Sequence, residues 1–290
     1  MSPLHDRSLW AFTQVADYAF ASSIALLSYV LFYESGEDTQ FQLSNTRLST
    51  YCAFQGACAV LVLWLREEIN FYLIGERVPK AKQKPLPDKT YPYIFQTYSL
   101  SMFSFFLMYR SEVIFWSPAS FTLEFWSSIF APFYLLLVLR DVFFLAPLHR
   151  LMHTKKYYHL HKLHHEATSD AQSLHAFQID VIDLMIENVG APFLLFGLQW
   201  ALDRRVGIHW LVGVLLTFHD GGLHSINPFS VMYFNPFLDW LLEPNVTHQL
   251  HHALNKGYYL FVPWGHLISR KQRLTDCQKY NKVLKCDFSF

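Results

Sequence analysis

The stretch HRLMHTKKYYHLHKLHH, residues 149–165, decides how the chain is read. On a helix, His149 and His153 stand four apart on one face, while His161, His164 and His165 fall at i, i+3 and i+4 on another. Packing does not call for that density of histidine, because a buried imidazole needs a hydrogen-bond partner and an exposed one gains little. Metal coordination does, since neutral imidazole suits iron, zinc and copper. A second HxxHH pattern stands at His248, His251 and His252, and His219 and His224 lie between the two clusters. Of the 15 histidines only His5 precedes residue 149.

About eight to ten imidazoles exceed what one ion holds, so two ions is the economical count, and a site made of neutral imidazoles keeps positions open for water or oxygen. His219 and His224 are five residues apart, which on an ideal helix separates them by about 140°. They converge only if Gly221 and Gly222 end the helix between them. His219 is read as a ligand, and His224 as either a ligand or a donor behind one. His175 has the same two readings, whereas His159, His209 and His266 read as surface or structural. Asp141, Glu166, Asp170, Asp180 and Asp220 lie near the ligands in sequence, where a carboxylate can accept the second ring N–H of a coordinating imidazole or simply face solvent.

The rest of the chain reads as membrane protein. Of its 290 residues 52% are hydrophobic, 18% aromatic and only 16% charged, a bilayer composition. The net charge is zero, which argues against a nucleic-acid partner. Cys52, Cys58, Cys277 and Cys286 form no CxxC pair and read as reduced thiols. Leu9 to Tyr33 reads as a retained first span and Thr50 to about Ile74 as a second, with the charges at Arg66, Glu67 and Glu68 ending it or facing inward. A basic, proline-broken linker from Arg77 to Lys89 comes next, cytosolic by its positive charge. Tyr93 to Phe115 and Phe121 to Leu148 form a second pair, joined by a turn at Ser117-Pro118, which returns His149 to the linker's side. Residues 181–218 read as an apolar hairpin, spanning or only dipping in, with a basic turn at Asp203-Arg204-Arg205. The basic tail beyond Ala253 should meet anionic headgroups or an acidic partner, and the sequon at Asn245 should stay unmodified on the cytosolic side.

These readings give an all-α fold: a polytopic membrane helical bundle with a histidine-rich di-metal site on its cytosolic side. It is one domain, 1–290, with residues 1–148 mainly transmembrane and 149–290 holding the histidines.

The order HxxxH, HxxHH, His219-Asp220-Gly221 and a second HxxHH resembles the fatty acid hydroxylase and sterol desaturase superfamily over about Asp141 to Gly265. Phe218-His219-Asp220-Gly221 is most similar to the sterol C-5 desaturase branch. The chain departs from that branch at Gln178, where relatives carry His-Pro, at Leu145-Ala146 and at Asn255-Lys256-Gly257, and reads as a divergent relative. The resemblance implies membrane helices under a cytosolic cap and two non-haem irons. Their ligands would be His149, His153, His161, His164, His165, His219, His248, His251 and His252. His224, His175, Asp220, Asp141 and Asp180 are further candidates as ligands or as partners behind them. Electrons would come from NAD(P)H through cytochrome b5 or an equivalent carrier. The iron pair itself would be the catalytic group, with no separate protein acid or base.

The expected activity is O2-dependent desaturation or hydroxylation of an unactivated C–H bond. The substrate would be apolar: a sterol, a terpenoid, a fatty acyl lipid or a specialised metabolite. The expected location is the endoplasmic reticulum membrane, with N-terminus and histidines facing the cytosol. Two other classes stay open: a haem-binding membrane electron-transfer protein, and a non-catalytic, metal-stabilised lipid-binding protein.

Overall fold

The structure, a computed structural model, describes residues 3–32, 43–74, 86–115, 122–168, 171–202, 207–225 and 244–255. Helices account for almost all of them. Three long ones come first: α1 (Pro3–Phe32), α2 (Asn45–Ile74) and α3 (Thr90–Arg110). α4 (Leu123–Val138) runs through a π-helical stretch (Leu139–Leu145) into α5 (Ala146–Met152). The histidine region opens with α6 (Tyr158–His161) and 3₁₀ turns at His164–Glu166 and Ser173–Phe177. Beyond them come α7 (Val181–Leu184), a second π-helical stretch (Met185–Val189) and α8 (Gly190–Ala201), then α9 (Leu211–His224) and α10 (Pro244–Leu254).

α2 shows why these helices suit a bilayer. Its inward stripe, Leu48, Tyr51, Cys52, Gln55, Ala59, Leu63, Arg66, Glu67 and Asn70, is buried and turns polar towards its C-terminal end, while the opposite face exposes Leu61 at 51% and Trp64 at 47%. A soluble helix places its polar face outward. Here the outer face is apolar and the ionised groups are inside, the arrangement that hydrocarbon demands. Arg66 donates to Asp17 Oδ2 of α1 at 2.7 Å. Glu67 accepts from both the backbone N–H and the hydroxyl of Ser173. Asn70 donates to Ser225 at 3.2 Å. As expected, Arg66 and Glu67 face inward; Glu68 is exposed. The polar end of α2 therefore clamps α1, the 173–177 turn and the end of α9.

Two of the described helical stretches, Asn45–Tyr72 and Leu123–Met152, are long and apolar enough to cross a membrane by length and composition. α8 adds an outward apolar face with Phe193, Leu194, Phe196 and Trp200 exposed. α9 is the central helix, buried along most of its length and packed against α1, α2, α4, α10 and the 173–177 turn. The all-α expectation needs one amendment. Ile114–Phe115 (β1) and Ile208–His209 (β2) pair in parallel, with Ile114 opposite Ile208, and fasten the end of α3 to the start of α9. The loop at 34–42, most of the basic linker, the Ser117-Pro118 and Asp203–Arg205 turns, Asp170, His266, Cys277, Cys286 and the basic tail from Lys256 lie outside the described residues. Cys52 and Cys58 are free thiols.

Candidate metal centre

The site is assembled from short elements. α5 carries His149 and ends at His153, whose N–H donates to the His149 carbonyl at 3.1 Å. The π-helical stretch before α5 adds a residue to the turn, rotating α5 by about 100° relative to an unbroken α-helix. α6 brings His161, the next 3₁₀ turn His164 and His165, α9 His224, and α10 His248, His251 and His252.

These side chains sort into two groups. In the first are His149, His153, His161, His165 and His251; in the second are His164, His224, His248 and His252. His149 Nε2 lies 2.9 Å from His251 Nε2 and 3.0 Å from His161 Nε2, and His251 Nε2 is 3.1 Å from His165 Nε2. In the second group His224 is the hub. Its Nε2 lies 3.2, 3.0 and 3.0 Å from those of His164, His252 and His248. The groups adjoin, with the rings of His165 and His252 stacked at 4.6 Å.

The fit to metal can be tested on the hydrogens. His161 Nδ1 is 2.6 Å from Asp183 Oδ2, His224 Nδ1 is 2.9 Å from the Asp220 carbonyl, and His252 Nδ1 is 2.8 Å from the Ala167 carbonyl. The two carbonyl oxygens can only accept, so Nδ1 of His224 and of His252 carries the ring hydrogen and each of their Nε2 atoms presents a lone pair. His224 and His252 then aim lone pairs at one another across 3.0 Å, a repulsive contact that a cation between them makes favourable. Nitrogens bound to one ion at about 2.1 Å stand about 3.0 Å apart at a right angle and about 3.4 Å apart at the tetrahedral angle. The observed 2.9 to 3.2 Å matches right-angled ligands, which leave positions open, better than a closed tetrahedral site. The residues fit two metal ions.

Burial readies the ligands. It pulls the pKa of His153 down to about 4 and those of His164, His165, His248 and His252 well below the usual histidine value, neighbouring imidazoles adding to the effect for the last four. The rings are thus neutral at pH 7, the form a metal requires.

Eight of the nine expected ligands come together; His219 does not. α9 continues unbroken through Gly221 and Gly222 to His224, so the two histidines stay on different faces and only His224 reaches the cluster. Gly221 serves packing instead, since a Cβ there would stand 2.7 Å from Leu63 Cδ2. His219 joins a charged network: its Nδ1 is 3.0 Å from Asp220 Oδ1, and Arg140 holds Asp220 through two bonds of 2.7 and 3.0 Å and Asp141 through one of 2.9 Å. His175 caps the 173–177 turn, its Nδ1 accepting from the Gln172 N–H at 2.9 Å. Asp180 caps α7 by accepting from Ile182 N–H, and Glu166 pairs with Lys89 at 2.6 Å. Gln178 bonds Thr90 and the Leu163 carbonyl.

The carboxylates behind the imidazoles are Asp183 and Glu187. Asp183 meets His161, and Glu187 Oε1 lies 3.6 Å from His149 Nδ1 and 3.8 Å from His161 Nδ1. The signal that could have found them is their i, i+4 spacing inside an otherwise apolar segment.

Residues 133–269 match the family model described as Fatty acid hydroxylase, and both histidine groups lie inside the match. Residues 133–269 are thus similar to the fatty acid hydroxylase family. No curated protein and no solved structure matches the chain. The match is consistent with the resemblance to the fatty acid hydroxylase and sterol desaturase superfamily. The matched segment spans α4's second half to beyond α10. It excludes α1 to α3, whose inward polar groups brace it from outside.

Proposed function

We propose that the chain is a membrane-bound, non-haem di-iron oxygenase that uses O2 and external electrons to hydroxylate or desaturate an unactivated C–H bond of an apolar substrate. The observation that carries this is the pair of adjoining imidazole groups whose Nε2 lone pairs converge at right-angle spacing. Two irons bound there would supply oxygen activation. The first group would hold one iron and the second the other.

The chain's own residues have separable tasks. Asp183 holds His161 in the Nε2-ligating tautomer, and the Asp220 and Ala167 carbonyls do the same for His224 and His252. Burial keeps water from competing with the substrate. Arg140, bonded to Asp141 and Asp220, fixes α9 against the turn of helix that delivers His149.

Electrons would arrive from NAD(P)H through a cytochrome b5-like carrier docking on the cytosolic face, in the endoplasmic reticulum membrane. Replacing His164 or His251 with Ala tests the reading. Oxygen-dependent substrate turnover should vanish in both variants; turnover retained by either contradicts it. A haem Soret band in purified protein would favour the electron-transfer alternative instead.

A further inference from the structure

α2 lies outside the matched segment, yet one of its polar side chains reaches the backbone that carries the metal ligands. Asn70 stands one turn beyond Arg66 on the inward stripe of α2 and is 3% exposed. A buried amide on a helix with an apolar outer face needs hydrogen bonds to offset its desolvation. Asn70 Nδ2 donates to Ser225 Oγ at 3.2 Å.

Ser225 immediately follows His224, the hub of the second histidine group, and is fully buried. Its N–H closes the last turn of α9 on the Gly222 carbonyl at 3.1 Å. Its backbone then leaves the helix, with φ −57° and ψ 146°, so its carbonyl points out of the helical ladder. That carbonyl accepts from Gln249 Nε2 of α10. One buried residue thus ties the end of α9 to α2 through its hydroxyl and to α10 through its carbonyl.

What flanks these bonds gives them their consequence. Gln249 directly follows His248, whose Nε2 lies 3.0 Å from His224 Nε2. α9 and α10 supply His224, His248 and His252 to the second group, leaving only His164 from elsewhere. To the first group they supply only His251, beside His149, His153, His161 and His165. Ligand-to-metal distances hold to within about 0.2 Å, so the two backbones that carry the second group cannot drift apart. The Gln249–Ser225 bond joins those backbones, and Asn70 fixes the junction against α2.

We infer that Asn70, through Ser225 and Gln249, is a positioning residue for the second metal: it sets His224 relative to His248 and His252. The first group, with most of its ligands on other elements, does not depend on it. This rests on the two-metal reading of the histidines.

The test is iron release from the full-length, detergent-purified chain loaded with ferrous iron and titrated with a chelator. Asn70→Leu and Gln249→Met nearly keep side-chain size and remove the bonds to Ser225. In each variant one iron should leave at an about tenfold lower chelator concentration, the lower end of the effect for a partner behind a coordinating imidazole. The other iron should follow the parent's course. Both variants act through Ser225, so the double variant should lose little more than the worse single one, whereas independent losses would multiply. Tyr109→Phe removes another interhelical bond, accepted by its hydroxyl from Leu43 N–H at 3.0 Å. That bond lies about 40 Å away along α2, and its loss should leave iron release unchanged. With cobalt(II) in place of iron, Asn70→Leu should alter the visible bands of one ion per chain, and Tyr109→Phe neither. Equal loss of both irons, parent-like release from folded Asn70→Leu and Gln249→Met, or multiplying losses in the double variant would overturn the inference while the two-metal reading stands. A parent chain that takes up no iron would overturn both.

Discussion

Asp183 offers the sharpest perturbation of the centre. Its Oδ2 lies 2.6 Å from His161 Nδ1, with both side chains fully buried, and the other nitrogen of His161 faces the first group 3.0 Å from His149 Nε2. A hydrogen bond to a charged group contributes about 1.5–3 kcal/mol. Loss of a partner behind a coordinating imidazole typically lowers metal affinity about 10- to 100-fold, or about 1.4 to 2.7 kcal/mol, so the two scales agree. Asp183→Asn keeps an oxygen acceptor and removes the charge, and should cost about tenfold. Asp183→Leu also strands the His161 N–H and should approach about a hundredfold. His161 belongs to the first group only among the two histidine sets, so one of two ions should leave early. Titrating iron-loaded protein with a chelator while following iron release would show a split into two phases in the variants. Release of both ions at the parent's chelator concentration from a folded Asp183→Leu protein would refute the reasoning.

The geometry predicts three further outcomes. His224→Ala should lose the metal of the second group while His219→Ala keeps both, as metal analysis per chain would show; the opposite pattern would restore His219 as the ligand. Burial holds His153 near a pKa of 4 against an ordinary 6.5, so the unfolded chain takes up a proton that the folded metal-free chain refuses. Stability of the metal-free protein should therefore fall as pH drops below about 6.5, read as a lower Tm at pH 5 than at pH 7.5; a Tm that rises on acidification would contradict this. Gly221→Ala would place a methyl 2.7 Å from Leu63 Cδ2 and should cost about 1–3 kcal/mol of stability in denaturant unfolding, part of which Leu63→Ala should return.

Much of this centre is legible in the sequence because ligand chemistry is written in residue type. The two HxxHH patterns bring His161, His164 and His165 together with His248, His251 and His252 whatever the exact path of the chain. The exchange of His219 for His224 is not legible. It turns on whether two adjacent glycines end a helix; α9 runs unbroken through both to His224, with Gly221 packed against Leu63. The carboxylates escape a sequence reading for a related reason. Proximity in sequence favours Asp141, Asp180 and Asp220, but direction decides: Asp180 is spent on capping α7, whereas Asp183, one turn on, points at His161. Length and apolarity announce the helices, and the i, i+3, i+4 pattern of α2 fits its buried stripe. The β1–β2 pair gives no such signal, since two residues on each strand carry no period.

The most direct measurement is metal content per chain, iron and zinc separately, on detergent-purified full-length protein reconstituted with ferrous iron, with visible spectra recorded alongside. The account predicts about two irons without haem absorption, as expected for two groups each holding one ion. No iron retained after reconstitution, or zinc held in both sites that iron cannot displace, would contradict it.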